Sequence, residues 1–182
     1  MITIVIPEST WFDEKKSEVL NIKRTTLNLE YSLIAVSLWE MHYKKPFLST
    51  KDKIKNVEEW LYFFYCMTIN NKNIDPRIFY SIPVQEFNRV QKYMEDPMTA
   101  TTITHHETKS QTKQMTNEEI YCAMAMLHIP FECQKWHLNR LIKLIEVCAI
   151  RNSPNEKMSK KETAASWRKA NAAARAKYHS RG

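Results

Sequence analysis

The chain has 182 residues, 43% of them hydrophobic, a formal net charge of +7 and a single glycine, Gly182. Phosphate-cradling loops need glycine for close backbone approach and positive φ, so Walker, dinucleotide and kinase glycine loops are excluded. Residues 151–182 hold nine Lys and Arg against Glu156 and Glu162, so residues 1–150 balance to zero and the whole excess charge sits in the tail.

Met1–Ile6 alternates Ile2, Ile4 and Ile6 and predicts a strand, which Pro7 breaks. This opening turns polar after six residues and carries no basic stretch. It reads as neither a signal peptide nor a membrane anchor, so an intracellular protein is expected. Val19–Leu29 is a second extended run, around Leu20, Ile22, Leu27 and Leu29, expected to pair with the first. The linker between them carries Trp11 and Phe12 and is expected to fold back onto the body.

From Glu30 the period becomes helical, with Tyr31, Ile34, Leu38 and Met41 on one face and Trp39 beside it, until Lys45-Pro46 ends the helix. Ser49, Thr50 and Asp52 are candidate caps for a helix over about residues 53–69. Its run Trp60–Met67 is apolar almost all round, as expected of a helix buried on several sides or facing a partner. Asn70–Asn73 reads as a turn and Pro76–Tyr80 as a short helical turn. Ser81 can cap a helix from about Pro83 to Glu95, with Val84, Phe87, Val90 and Tyr93 or Met94 inward. Residues 97–115 have no helical period and read as an exposed loop, Thr99–Thr104 having a short strand's composition.

Thr116 and Glu119 form a capping box for a helix to about Leu127. Pro130 suits the first position of a long helix whose apolar stripe is Phe131, Leu138, Leu141, Ile142, Ile145 and Cys148. Arg151–Asn155 is a linker. Ser159 and Glu162 make a second capping box before an alanine-rich, helix-competent stretch, Lys160–Tyr178, whose large apolar side chains are Trp167 and Tyr178. The expected fold is therefore α+β and predominantly α-helical. An N-terminal β-hairpin packs on a helical body in residues 1–150, and a basic linker and C-terminal helix follow in 151–182.

Three constellations raise the question of chemistry. Cys122, His128, Cys133 and His137 offer thiolate and imidazole ligands for zinc, but no C-x2-C knuckle exists. The preferred reading has Cys133 near the core and His137 facing solvent. The four cysteines, Cys66 and Cys148 included, are expected to be buried small hydrophobes. Cys133 with His105, His106 or His137 makes a conceivable thiolate pair, but no orienting acid or oxyanion turn accompanies it. Glu118-Glu119 resembles a carboxylate pair, yet neighbours on a helix point about 100° apart, and capping accounts for them better. No catalytic residue, cofactor or metal is assigned.

The third constellation is the tail: Lys160, Lys161, Trp167, Arg168, Lys169, Arg175, Lys177 and Tyr178. Basic residues with two aromatic side chains suit phosphate contact and base stacking. They equally suit an acidic groove or helical protein partner, or a merely solvated helix. A protein partner is preferred, with nucleic acid second.

The block Ile129–Cys148 resembles a small family of tailed-bacteriophage proteins from the tail-gene region, related to tail assembly chaperones. So do Lys45–Leu48, Cys66–Thr68, Asp75-Pro76, Asp96–Thr101 and Lys157–Lys161. The resemblance implies a non-enzymatic protein of the host cytoplasm that coats the tape measure protein and leaves as the tail tube polymerises. It implies protein partners, self-association among them, and no membrane. A virion component of the tail or head–tail junction and a nucleic-acid-binding accessory protein are the alternative expectations.

Overall fold

The computed structural model describes residues 1–13, 17–48, 56–70, 74–103, 115–152 and 167–168. The chain divides into two units, Met1–Ile150 and Arg151–Gly182. The first is an α+β unit dominated by helices. In the second, Trp167 and Arg168 are helical and exposed. Lys160, Lys161, Lys169, Arg175, Lys177 and Tyr178 lie outside the described residues.

Four strands open the chain: β1 (Ile2–Ile6), β2 (Ser9–Asp13), β3 (Glu18–Ile22) and β4 (Thr25–Leu29). β1 pairs antiparallel with β4, Ile4 opposite Leu27, and β2 with β3, Trp11 opposite Leu20. The two ladders are one hairpin interrupted at Pro7, which has no N–H to give a ladder. The linker expected to fold back is thus itself a strand. Alternation sends Ile4, Ile6, Leu27 and Leu29 inward, each fully buried. Trp11 stacks on Tyr80 with centroids 4.7 Å apart, while Phe12 stays exposed. The far end of the hairpin is pinned by Arg77, whose guanidinium meets Asp75 at 2.7 Å, Glu18 at 3.1 Å and Asp13 at 3.2 Å. The hydrogen bonds it donates to Asp75, Glu18 and Asp13 push its already high pKa further up.

Helix α1 (Leu33–Tyr43) starts three residues later than its periodicity suggests, because Ser32 caps it by accepting the Ala35 N–H. Its buried face is Leu33, Ala35, Val36, Trp39 and Glu40. Of the face marked by Tyr31, Ile34, Leu38 and Met41, Tyr31 is buried, whereas Leu38 is 41% and Met41 62% exposed. The sequence of α1 is apolar on nearly every side, so periodicity alone does not choose its inner face. Helix α2 (Val57–Met67) is capped by Asn56, which accepts the Glu59 N–H at 2.7 Å. Ser49, Thr50 and Asp52 lie outside the described residues. Trp39 Nε1 donates to the Glu59 carbonyl at 3.0 Å and ties α1 to α2.

A 3-10 helix, Pro76–Ser81, places Phe79 in the core. Helix α3 (Val84–Glu95) buries Val90 and Tyr93, but Val84 is 74% exposed. Pro83 occupies its cap position and no side chain caps it, so Ser81 does not serve. No strand includes the described residues Thr99–Ile103. Helix α4 (Asn117–Met126) begins with the Thr116–Glu119 capping box.

The single long helix expected from Pro130 is two elements. A 3-10 helix, Phe131–Lys135, is followed after Trp136 and His137 by α5 (Leu138–Asn152). Extended backbone at Trp136 and a bridge from His137 to Ser32 break the helix, and Phe131 is left 52% exposed. The core joins Ile4, Leu29, Trp39, Phe63, Phe79, Met124 and Leu138 in one cluster. Among the described residues no helix is long and apolar enough to cross a membrane.

Candidate functional site

Where β4 runs into α1, the chain makes backbone bonds on one side with the end of α2. Glu30 N–H donates to the Met67 carbonyl and Ile69 N–H to the Asn28 carbonyl, both at 2.9 Å. These bonds hold the end of α2 beside the start of α1. A groove of about 670 Å³ opens between them. Its walls are Ile34 and Leu38 from α1 and Tyr65, Cys66 and Met67 from α2, with Ile69 beyond. Ser32 and Thr68 supply hydroxyls, and Glu30 and Lys135 are the charged groups in the lining.

The groove is apolar in its chemistry. Burial pushes the Cys66 thiol up to about 12, so this cysteine is a small hydrophobe and no nucleophile. Ile69 is 50% exposed, which together with Leu38 and Met41 leaves apolar side chains uncovered along α1 and the end of α2. An aromatic ledge adjoins them. His42 stacks on Tyr62 at 4.2 Å, and Tyr62 in turn neighbours Tyr43 and Tyr65. A second, narrower groove of about 240 Å³ lies between α4 and α5, floored by Ile120, Ala123, Ile142 and Ile145 with Glu119 and Glu146 in its lining.

The sequence-derived zinc quartet is not gathered at one point. Cys122 and His128 are exposed, whereas Cys133 and His137 are buried. Among the described residues no group of three or more His, Cys, Asp or Glu is placed to hold a metal ion. Two expectations need correction here. His137 is 6% exposed, and does not face solvent. Cys122 is exposed and its thiol lies 3.9 Å from the Met126 sulfur, so it is not a core residue. His105 and His106 lie outside the described residues. Glu119 closes the capping box, as its spacing implies. Glu118 sits at the same helix start, where backbone N–H groups hold its carboxyl below the usual range.

Of the tail residues singled out in the sequence, Trp167 is 66% exposed. The groove itself was missed by sequence reading, because the pattern puts Ile34 and Leu38 on one apolar face of α1 without telling which of them stay uncovered. The apolar run of α2 was the usable signal. Comparison with known proteins finds no matching family model and no significantly similar curated protein or solved structure.

Proposed function

We propose that this protein is a non-enzymatic assembly factor of the phage tail chaperone type, which holds an apolar helical stretch of the tape measure protein in the groove between α1 and α2. The observation that supports the reading is the groove's wall of half-buried Ile34 and exposed Leu38 and Ile69 beside the Tyr62–Tyr65 ledge. Contiguous exposed apolar surface of this kind favours partner binding. An amphipathic helix presents apolar side chains at three- and four-residue spacing, which fits a groove bounded by two helices. The basic tail, with Trp167 as anchor, is assigned a protein contact on the same partner.

The test uses the full chain. Its binding to tape measure fragments is measured by calorimetry, with Leu38→Asp and Trp167→Ala beside the parent protein. A charge at Leu38 is expected to weaken binding by about tenfold or more, since it puts an unpaired charge into an apolar interface. Loss of the aromatic anchor is expected to weaken it comparably. Duplex DNA is titrated in parallel at several salt concentrations. A log–log salt slope of about −4 to −7 with no fragment binding would establish the nucleic-acid reading instead. Stoichiometric presence in purified particles by mass spectrometry would favour a structural subunit over a chaperone.

A further inference from the structure

We propose that His137 is an acid-sensitive latch, whose protonation releases the junction where residues 30–32, the end of α3 and the start of α5 meet. The ring is buried, and the His137 backbone bridges to Ser32. Next to it the Leu138 N–H donates to the Tyr31 carbonyl at 2.7 Å. Nε2 lies 3.0 Å from the Tyr93 carbonyl, which can only accept, so Nε2 carries the hydrogen and donates. Nδ1 is buried and has no hydrogen-bond partner among the described residues. A second proton would therefore have to be held at Nδ1 without an acceptor.

The surroundings oppose that proton. The Tyr31 and Tyr93 rings pack against the imidazole at near right angles, at 5.3 and 4.9 Å between centroids, and help keep water from it. His137 also opens α5, its carbonyl accepting the Leu141 N–H, and the positive end of a helix disfavours a cation there. The charged groups acting on it are Glu30 ahead of α1, Asp96 after α3 and the Met1 amino group on the β1 side. Glu30 is already engaged, accepting from the Met1 amino group at 2.7 Å and from the Tyr93 hydroxyl. Burial outweighs the Tyr93 carbonyl and the two carboxylates, which favour the charged ring, and lowers the histidine's pKa. As pH falls, the unfolded chain takes up this proton first. The stabilisation is complete above about 6.5 and is lost as pH falls toward the folded value, by up to about tenfold in the folding constant per pH unit. Ser32 and Lys135 also line the α1–α2 groove, so the latch and the groove share a wall.

The experiment follows the Leu138 amide by hydrogen exchange and the urea midpoint, between pH 7.5 and pH 5, in the full chain and in His137→Gln. Glutamine keeps a side-chain N–H to offer Tyr93 but does not titrate. The parent should lose Leu138 protection beyond the intrinsic pH effect, several-fold more than at Ile129, whose N–H is held by the Met124 carbonyl. The variant should show the smaller pH response at both readouts. Equal responses in the two proteins would overturn the latch. Should the variant fail to fold, the parent's imidazole resonance with contacts to the Tyr31 and Tyr93 rings decides. It should remain neutral below about 6.5, and titration at or above that ordinary value would overturn the proposal.

Discussion

Glu40 offers the sharpest test of what holds the helical body together. It is buried, yet it sits near the end of α1 with no cation beside it among its described bonds. One carboxylate oxygen accepts the Phe47 N–H at 2.6 Å, and the other accepts the Asn117 N–H at 2.9 Å and the Asn117 Nδ2 at 2.5 Å. The side chain thus ties α1 to the loop after it and to the first residue of α4. Glu40→Ala removes the carboxylate that serves two backbone donors and an amide, in surroundings where Phe47 and Asn117 are each 5% exposed. Taking this acceptor from a buried backbone donor costs about 1–3 kcal/mol, so the expected loss over the two is about 4 kcal/mol. Against a total of about 5–15 kcal/mol that is a large fraction. At about 2–4 °C per kcal/mol for a chain of this size, melting should drop by about 8–16 °C. Glu40→Gln keeps the volume and one acceptor oxygen but turns an NH2 group on at least one donor, so it should fall between parent and alanine. Urea unfolding at neutral pH reads the difference through the midpoint at constant slope. A loss below about 1 kcal/mol in the alanine variant would refute the idea that this carboxylate carries the junction.

Two further outcomes are expected. A chain ending at Ser153 should melt within a few degrees of the full protein. Trp167 and Tyr178 are the only large apolar side chains of the stretch Lys160–Tyr178, and Trp167 is 66% exposed, so burial at about 25 cal/mol per Å² adds little. Loss of cooperative unfolding would show that the tail belongs to the fold. Lys44→Gly should raise the melting temperature by about 2–4 °C: Lys44 closes α1 at φ 55°, where a side chain costs about 1–2 kcal/mol, partly offset by glycine's greater freedom when unfolded. An unchanged or lowered melting temperature in that variant would mean that the lysine side chain itself contributes at the cap.

What could be read from the sequence was whatever depends on near neighbours. The Thr116–Glu119 box, the turn at Pro76 and the strands around Ile4 and Leu27 are written in spacings of two to four residues, and the structure forms all three. The failures occur where distant residues decide. The inner face of α1 is fixed by Trp39 reaching the Glu59 carbonyl and by Glu40 reaching Asn117, partners 20 and 77 positions away. The break before α5 comes from the pairing of His137 with Ser32, far off in the chain. Because the pattern of α1 does not tell which apolar residues stay uncovered, the groove walled by Ile34 and Leu38 could not be seen beforehand. The second half of the hairpin was hidden because Pro7 was read as an end, when it only interrupts a ladder that resumes at Ser9.

The distribution of buried polar groups bears on function in its own right. Asp13 reaches Arg77, Ser32 caps α1, Glu40 joins Phe47 to Asn117, Glu59 receives Lys45 at 3.0 Å, and His137 faces the Tyr93 carbonyl. Each of these side chains fastens one element or joins it to the next, which is the physical requirement for burying a polar group at all. In a chain whose only glycine is Gly182, even tight corners are made by side-chain-bearing residues, with Ser17, Lys44, Met98 and His128 all at positive φ. The described polar interior thus holds the scaffold in shape, while Leu38 and Ile69 remain uncovered along the α1–α2 face. Covering that face would gain free energy from burial, and under the proposed function a partner helix laid along the groove would do so.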